Sequence, residues 1–239
     1  MTGDLMERAR AALQSEPRVR LREHPVHLQF ADGVMTVEGE VPSVAAKKLA
    51  LERLAALPEV SAIVDRLHVA PAERMGDGQI RDLVRDALLQ ESAFDEMTVL
   101  EERQGELRPI RIPPTGSRGE MRYLVEDGIV TLSGEMPGLG RKRLAGALAW
   151  WVPGSRDVIN GIAVSPPEED SDEEMTDAVR IALEKDPFVE ATQIRLTTRA
   201  RVVTLTGLVR SENERHMAEF DAWCVFGVDR VMNGIEVRP

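Results

Sequence analysis

Cysteine is all but missing from this chain: its 239 residues include one, Cys224, so no internal disulfide can form. A surplus of positive charge is missing as well. Lys and Arg number 30 against 41 Asp and Glu, a net charge of −11. Affinity for a nucleic-acid backbone needs clustered cations, so this balance argues against a nucleic-acid partner and against broad attraction to an anionic membrane. No stretch approaches the roughly 18 consecutive apolar residues of a membrane span. The opening segment, MTGDLMERARAALQSEPRVR, lacks the apolar centre of a secretory leader and reads as an amphipathic helix; the expected compartment is the cytoplasm.

What the chain has is repetition. DGVMTVEGEVPS begins at Asp32, DGIVTLSGEMPG at Asp127 and ARVVTLTGLVRS at Ala200. Gly39, Gly134 and Gly207 are each followed 30 residues later by the closing valines Val69, Val164 and Val237. A fixed period of this kind sets the architecture. Three units are expected: 1–71, 72–165 with an insertion at about 101–121, and 166–239 behind the acidic run EEDSDEE, Glu168 to Glu174. Units of roughly 70 residues sit near the lower limit for an independent core, so part of their stability should come from packing on one another.

The first unit shows the pattern. Leu5, Met6, Ala9, Ala12 and Leu13 recur at helical spacing, and Pro17 ends the helix. VHLQF and VMTVE alternate like strands around Asp32-Gly33, a hairpin signal that reappears at Asp127-Gly128. Gly39 is read as a sharp turn after the second strand, with Gly134 and Gly207 in the same role. Pro42-Ser43 opens a second helix, Pro58 stops it, and IVDRLHV closes the unit as a strand. The fold expected is α+β: three tandem two-layer units, each α-β-β-α-β, with a small mixed three-stranded sheet on two helices. The third unit has Ala200-Arg201 in place of Asp-Gly, so its turn is expected to be built differently. The roughly twenty extra residues of the middle unit hold Gly105, Pro113, Pro114, Gly116 and Gly119, which argue for an excursion off the core; ELRPIRI within them could form a hairpin arm.

The succession D-G-x-V-T-L-x-G-x-V, helix, V-x-N-x-I-x-V resembles the BON domain, a family named for bacterial osmotic-shock and nodulation proteins. Asn160 and Asn233 fit the closing motif, and Asp65 replaces the asparagine in the first copy. The resemblance spans nearly the whole chain. It implies non-catalytic α-β-β-α-β modules of stress-related bacterial proteins that contact phospholipid surfaces or other envelope components, often in the periplasm.

No reactive set repeats with the fold. His24, His27, His68 and His216 have no Cys, His or carboxylate arrangement around them that completes a metal site. Cys224 has core-like neighbours and no base in its motif. Neither a metal nor a cofactor is expected, and no P-loop spacing occurs. EEDSDEE reads as a solvated linker. Two surfaces remain. Gly138, Gly140, Arg141, Lys142 and Arg143 place glycines and three cations at a helix start, a candidate site for an anion or a lipid headgroup. Trp150, Trp151 and Trp223 are candidate contacts to a neighbouring repeat or to a protein partner, with plain packing within the unit as the alternative. The reading is a non-enzymatic binding or scaffold protein with a protein partner, or with phospholipid through the basic helix start.

Overall fold

A computed structural model describes residues 2–238, which fall into two compact units, one through Ala70 and one from Pro71 onward. In the first unit helix α1 (Thr2–Gln14) buries Leu5, Ala9 and Leu13, one residue per turn along one face. Strands β1 (Val26–Ala31) and β2 (Val34–Val41) form an antiparallel hairpin. Its two-residue turn has Asp32 at φ 49° and Gly33 at φ 82°, the left-handed pair that matches strand twist. Helix α2 (Val44–Ala55) begins where the Ser43 hydroxyl accepts the Ala46 N–H at 3.1 Å. Strand β3 (Ala62–Val69) then pairs parallel to β2. Met35, Val37, Val41 and Leu67 from the sheet meet Ala46, Leu49, Ala50 and Leu54 from α2, all buried. Each fully buried Leu or Met contributes about 1.5–3 kcal/mol, and this layer contact, together with the buried face of α1, is the core of the unit.

The second unit contains the middle and last repeats. Helix α3 (Asp77–Gln90) precedes β4 (Thr98–Arg103), β5 (Glu106–Arg111), β6 (Glu120–Glu126), β7 (Ile129–Met136), α4 (Leu139–Trp151), β8 (Asp157–Asn160) and β9 (Ala163–Val164). The last repeat is α5 (Asp172–Lys185), β10 (Ile194–Arg199), β11 (Val202–Val209), α6 (Glu212–Cys224) and β12 (Arg230–Val237). The order α-β-β-α-β therefore occurs in the first and last repeats and, with the added strands β4 and β5 and a split closing strand, underlies the middle one, in two layers. Helix α4 packs on both α5 and α6, which joins the two repeats helix layer to helix layer.

Three features depart from the expectation. The insertion is not an excursion. Its residues help build a hairpin, β4–β5, that adds to the sheet, with β4 parallel to β6, so the middle sheet runs β5-β4-β6-β7-β8. Val99 of β4 is fully buried, which is why the hairpin lies down on the core. The closing strand of the middle repeat is split, β8 and β9 being separated at Gly161-Ile162. Gly39, Gly134 and Gly207 are not turns between strand and helix: they lie inside β2, β7 and β11. A side chain at each would stand 2.8 Å from the Pro25 carbonyl, 2.2 Å from that of Glu120 and 2.1 Å from that of Gln193. Close approach of the neighbouring backbone, with φ values of 149°, 112° and 147°, requires the glycine there. Gly33 and Gly128 do form the expected turns.

Candidate functional site

The repeated polar residues stitch the fold. In the middle repeat the Asn160 amide donates to the Lys142 carbonyl at 2.7 Å, and in the last repeat Asn233 donates to the Arg215 carbonyl at 3.1 Å. Each asparagine oxygen also accepts the N–H two residues on, from Ile162 and from Ile235. The first repeat has Asp65, which cannot donate. There the buried Lys47 ammonium supplies the donor, 3.1 Å from Asp65 and 2.7 Å from the Leu67 carbonyl. One role, holding a closing strand to its helix, is thus filled by two chemistries.

The hairpin turns have a second support that the sequence reading did not find. Asp77, in the first turn of α3, accepts the N–H groups of Asp127 and Gly128 at 3.0 and 2.9 Å. Asp172, in the first turn of α5, accepts those of Ala200 and Arg201 at 2.8 and 3.1 Å. These bonds, from Arg201 first and then Ala200, hold the Asp172 carboxyl below its ordinary range. They also correct the expectation for the third turn. Ala200 (φ 48°) and Arg201 (φ 63°) adopt the same left-handed conformation as Asp-Gly, held by the same carboxylate clamp that supports the Asp127-Gly128 turn. The signal was legible in principle: Asp77 and Asp172 occupy matching places in their repeats.

The basic helix start lies between the middle and last repeats. Gly138, at φ 90°, is the residue before α4. The Leu139 N–H behind it donates to the Glu168 carboxylate at 2.7 Å, so the acidic run supplies an anion to this helix terminus. Arg141 donates to the carbonyls of Ala93 and Pro137. Lys142 stands 4.8 Å from the centre of the Phe226 ring, and burial followed by the neighbouring Arg143 lowers its pKa. Arg143 is buried, donates to the Phe226 carbonyl at 3.0 Å and pairs with Asp170. EEDSDEE is exposed from Glu168 to Ser171, as a solvated linker is, but it is also fastened: Glu168, Asp170, Ser171 and Asp172 all make specific contacts, with Ser171 capping α5.

Gly138, Gly140 and Arg141 nevertheless line a cleft of about 740 Å³. Across it stand Ala178, Ile181, Glu184 and Lys185 of α5. The Lys185 ammonium bonds Glu91 at 2.7 Å. Burial works against the Glu91 charge, but Lys185 and the Ala93 N–H outweigh it and keep this carboxyl below the usual range. The cleft thus offers mixed charge over an apolar floor that includes Leu144.

The tryptophans separate. Trp223 is buried, its indole N–H 3.4 Å from Glu219, which removes it as an external contact. Trp150 and Trp151 are half-buried. Trp151 faces Asp221 of α6, across the contact between the two repeats. Asp221 is fully buried, and burial first, then the nearby Asp186 carboxyl, pushes its pKa up to about 8. Asp186 and the Trp151 indole are its polar neighbours, yet neither meets ordinary hydrogen-bond geometry with its oxygens. Sequence reasoning missed this pair because a single acidic residue on a helix looks solvated. Neither aspartate lines the cleft. Cys224 is a buried thiol that forms no disulfide, and among the described residues no group of His, Cys, Asp and Glu could hold a metal ion.

A two-layer α-β-β-α-β unit, built three times and fastened by the same strand-to-helix stitch, defines this chain as a tandem array of small α+β modules. The chain belongs to the BON domain family, whose model matches residues 3–71, 119–166 and 171–239. The solved structures it resembles include two of CdsD, a structural protein of the type III secretion system of Chlamydia trachomatis. One, the C-terminal domain, has 14% identity over 99% of this chain and 98% of that one, with a TM-score of 0.26. The other has 15% identity over 99% and 93%, with the same TM-score. A superposition that loose carries no functional argument. No curated protein matches the chain. Among the described residues no helix is long and apolar enough to cross a membrane.

Proposed function

We propose that this protein is a non-enzymatic binding or scaffold protein that recognises a protein partner through its modules. The observation that carries the reading is that the polar positions repeated with the fold serve its shape: Asn160 and Asn233 stitch, Ser43 and Ser211 cap, and Asp77 and Asp172 clamp turns. Membership in a family of non-catalytic modules supports it. Asp186 and Asp221 converge as a catalytic pair would, but Asp221 is sealed from solvent, and a general acid must reach its substrate. Affinity capture from the native host with the full chain as bait, followed by reconstitution from purified components, tests the reading. A stoichiometric complex is expected; turnover that disappears with Asp221→Asn in a variant that still folds would overturn it.

One observation favours a second reading, an anionic headgroup held in the cleft: the sequence-predicted Gly138, Gly140 and Arg141 line it together with Lys185. The contacts made by Arg141, Lys142 and Arg143 weigh against it, since each cation already faces a protein group. Sedimentation with phosphatidylglycerol vesicles at low salt separates the two. The protein-partner reading expects no binding that Arg141→Ala weakens; a loss of about tenfold with that variant would favour the headgroup.

A further inference from the structure

Open sheet edges invite strand pairing, and proteins blunt them with charge, proline or a covering element. Among the strands that end a sheet, β3 carries Asp65 and Arg66, β5 carries Arg108 and Pro109, β8 carries Asp157, and β9 is only two residues long. Strand β10 carries Arg195 and Arg199, and β12 carries Arg230 and Glu236. Strand β1, VHLQFA, has no carboxylate, lysine, arginine or proline, and among the described residues its backbone pairs as a strand only with β2.

The middle repeat shows what this edge accepts. Its strand β6 occupies the place of β1: Met121 faces Gly134 as Val26 faces Gly39. Strand β4 is seated on the β6 edge, parallel and in register from Thr98 opposite Glu120 to Glu101 opposite Tyr123. With β4 in place Met121, Tyr123 and Val125 are fully buried. Their counterparts Val26, Leu28 and Phe30 in β1 are only half-buried. In the last repeat the same row ends in Thr198, whose hydroxyl is engaged by Thr176, and the strand carries its two arginines. An apolar row left half-covered beside an unprotected edge is thus particular to the first repeat.

We infer that the β1 edge is a strand-addition site for an extended segment of a partner protein, which pairs parallel to β1 as β4 pairs with β6. The chemistry of the segment follows from the comparison. In β4 the residue facing the helix layer beside Tyr123 is Glu101, whose carboxylate accepts the tyrosine hydroxyl at 3.0 Å. At the matching place β1 has Leu28, which offers no donor, so the partner strand needs an apolar residue there. Alternating apolar residues would complete the burial of Val26, Leu28 and Phe30, while main-chain bonds supply the pairing.

This inference rests on the binding-module reading and specifies one of its surfaces. The test is amide hydrogen exchange on the full chain with a synthetic peptide of the Glu96–Arg103 sequence carrying Glu101→Val. The β1 amides not bonded to β2 should slow by about tenfold or more in excess peptide. The same peptide N-methylated at alternate residues should leave them unchanged, because it cannot complete the ladder. No protection in β1, equal protection by both peptides, or protection at β10 instead would overturn the inference. A reconstituted partner complex that leaves β1 exchange unaltered would remove the edge proposal and leave the module reading standing.

Discussion

Asp221 shows how far one side chain can depart from what its letter suggests. It sits on α6, where an aspartate would ordinarily point to water, and it is fully buried beside Asp186 and Trp151. Its folded pKa of about 8 lies above the ordinary 3.8, so between those values the folded chain holds a proton that the unfolded chain has released. Stability is therefore lost as pH rises from about 4 to 8, with a slope of at most about 1.4 kcal/mol per pH unit. The variant Asp221→Asn keeps the shape and removes the titration. Thermal melts across that range should show a flatter profile and a higher melting temperature at pH 8.5 than the parent. An unchanged slope would show that the carboxyl is solvated. Asp65 makes the complementary point: the same fold position takes Asn in two repeats and Asp in one, and the sequence compensates with the buried Lys47.

At the scale of elements, the repeat predicts helices and strands well because hydrophobic period and turn chemistry are local. Leu5, Ala9 and Leu13 lie where helical spacing puts them, and Asp32-Gly33 turns as such pairs do. Locality also explains the errors. Gly207 looks like punctuation in a linear reading, yet its reason is the Gln193 carbonyl just ahead of the adjacent strand β10. The β4–β5 hairpin is legible only as the possible arm ELRPIRI, because Pro113 and Pro114 suggest an excursion off the core, while its anchor, Val99, is buried beside Met121 of β6. Val99→Ala should cost about 1–3 kcal/mol in urea unfolding, whereas Leu107→Ala, on the exposed side of β5, should change stability by less than about 0.5 kcal/mol. Equal effects would mean that the hairpin is appended to the core and not part of it.

Across the whole molecule, the middle and last repeats share one compact unit, and the acidic run between them is a fastening. Arg143 reaches both Asp170 and the Phe226 carbonyl from a buried position. Asp170 keeps about a third of its side chain in solvent, so Arg143→Ala should cost about 2–4 kcal/mol, below the full penalty for breaking a sealed pair. Loss should appear in the melt of the full chain while β1–β3 amides keep their exchange rates. A change below about 0.5 kcal/mol would mean that the contact contributes nothing. The amino-acid sequence by itself determined the number of repeats, the order of elements common to them and the family, because period, turn residues and caps act over a few neighbours. Only the tertiary structure decided which charges face solvent, why three glycines are required inside strands and which sheet edge is left open. Those outcomes depend on groups that meet across the fold, and a linear pattern carries no distance between them.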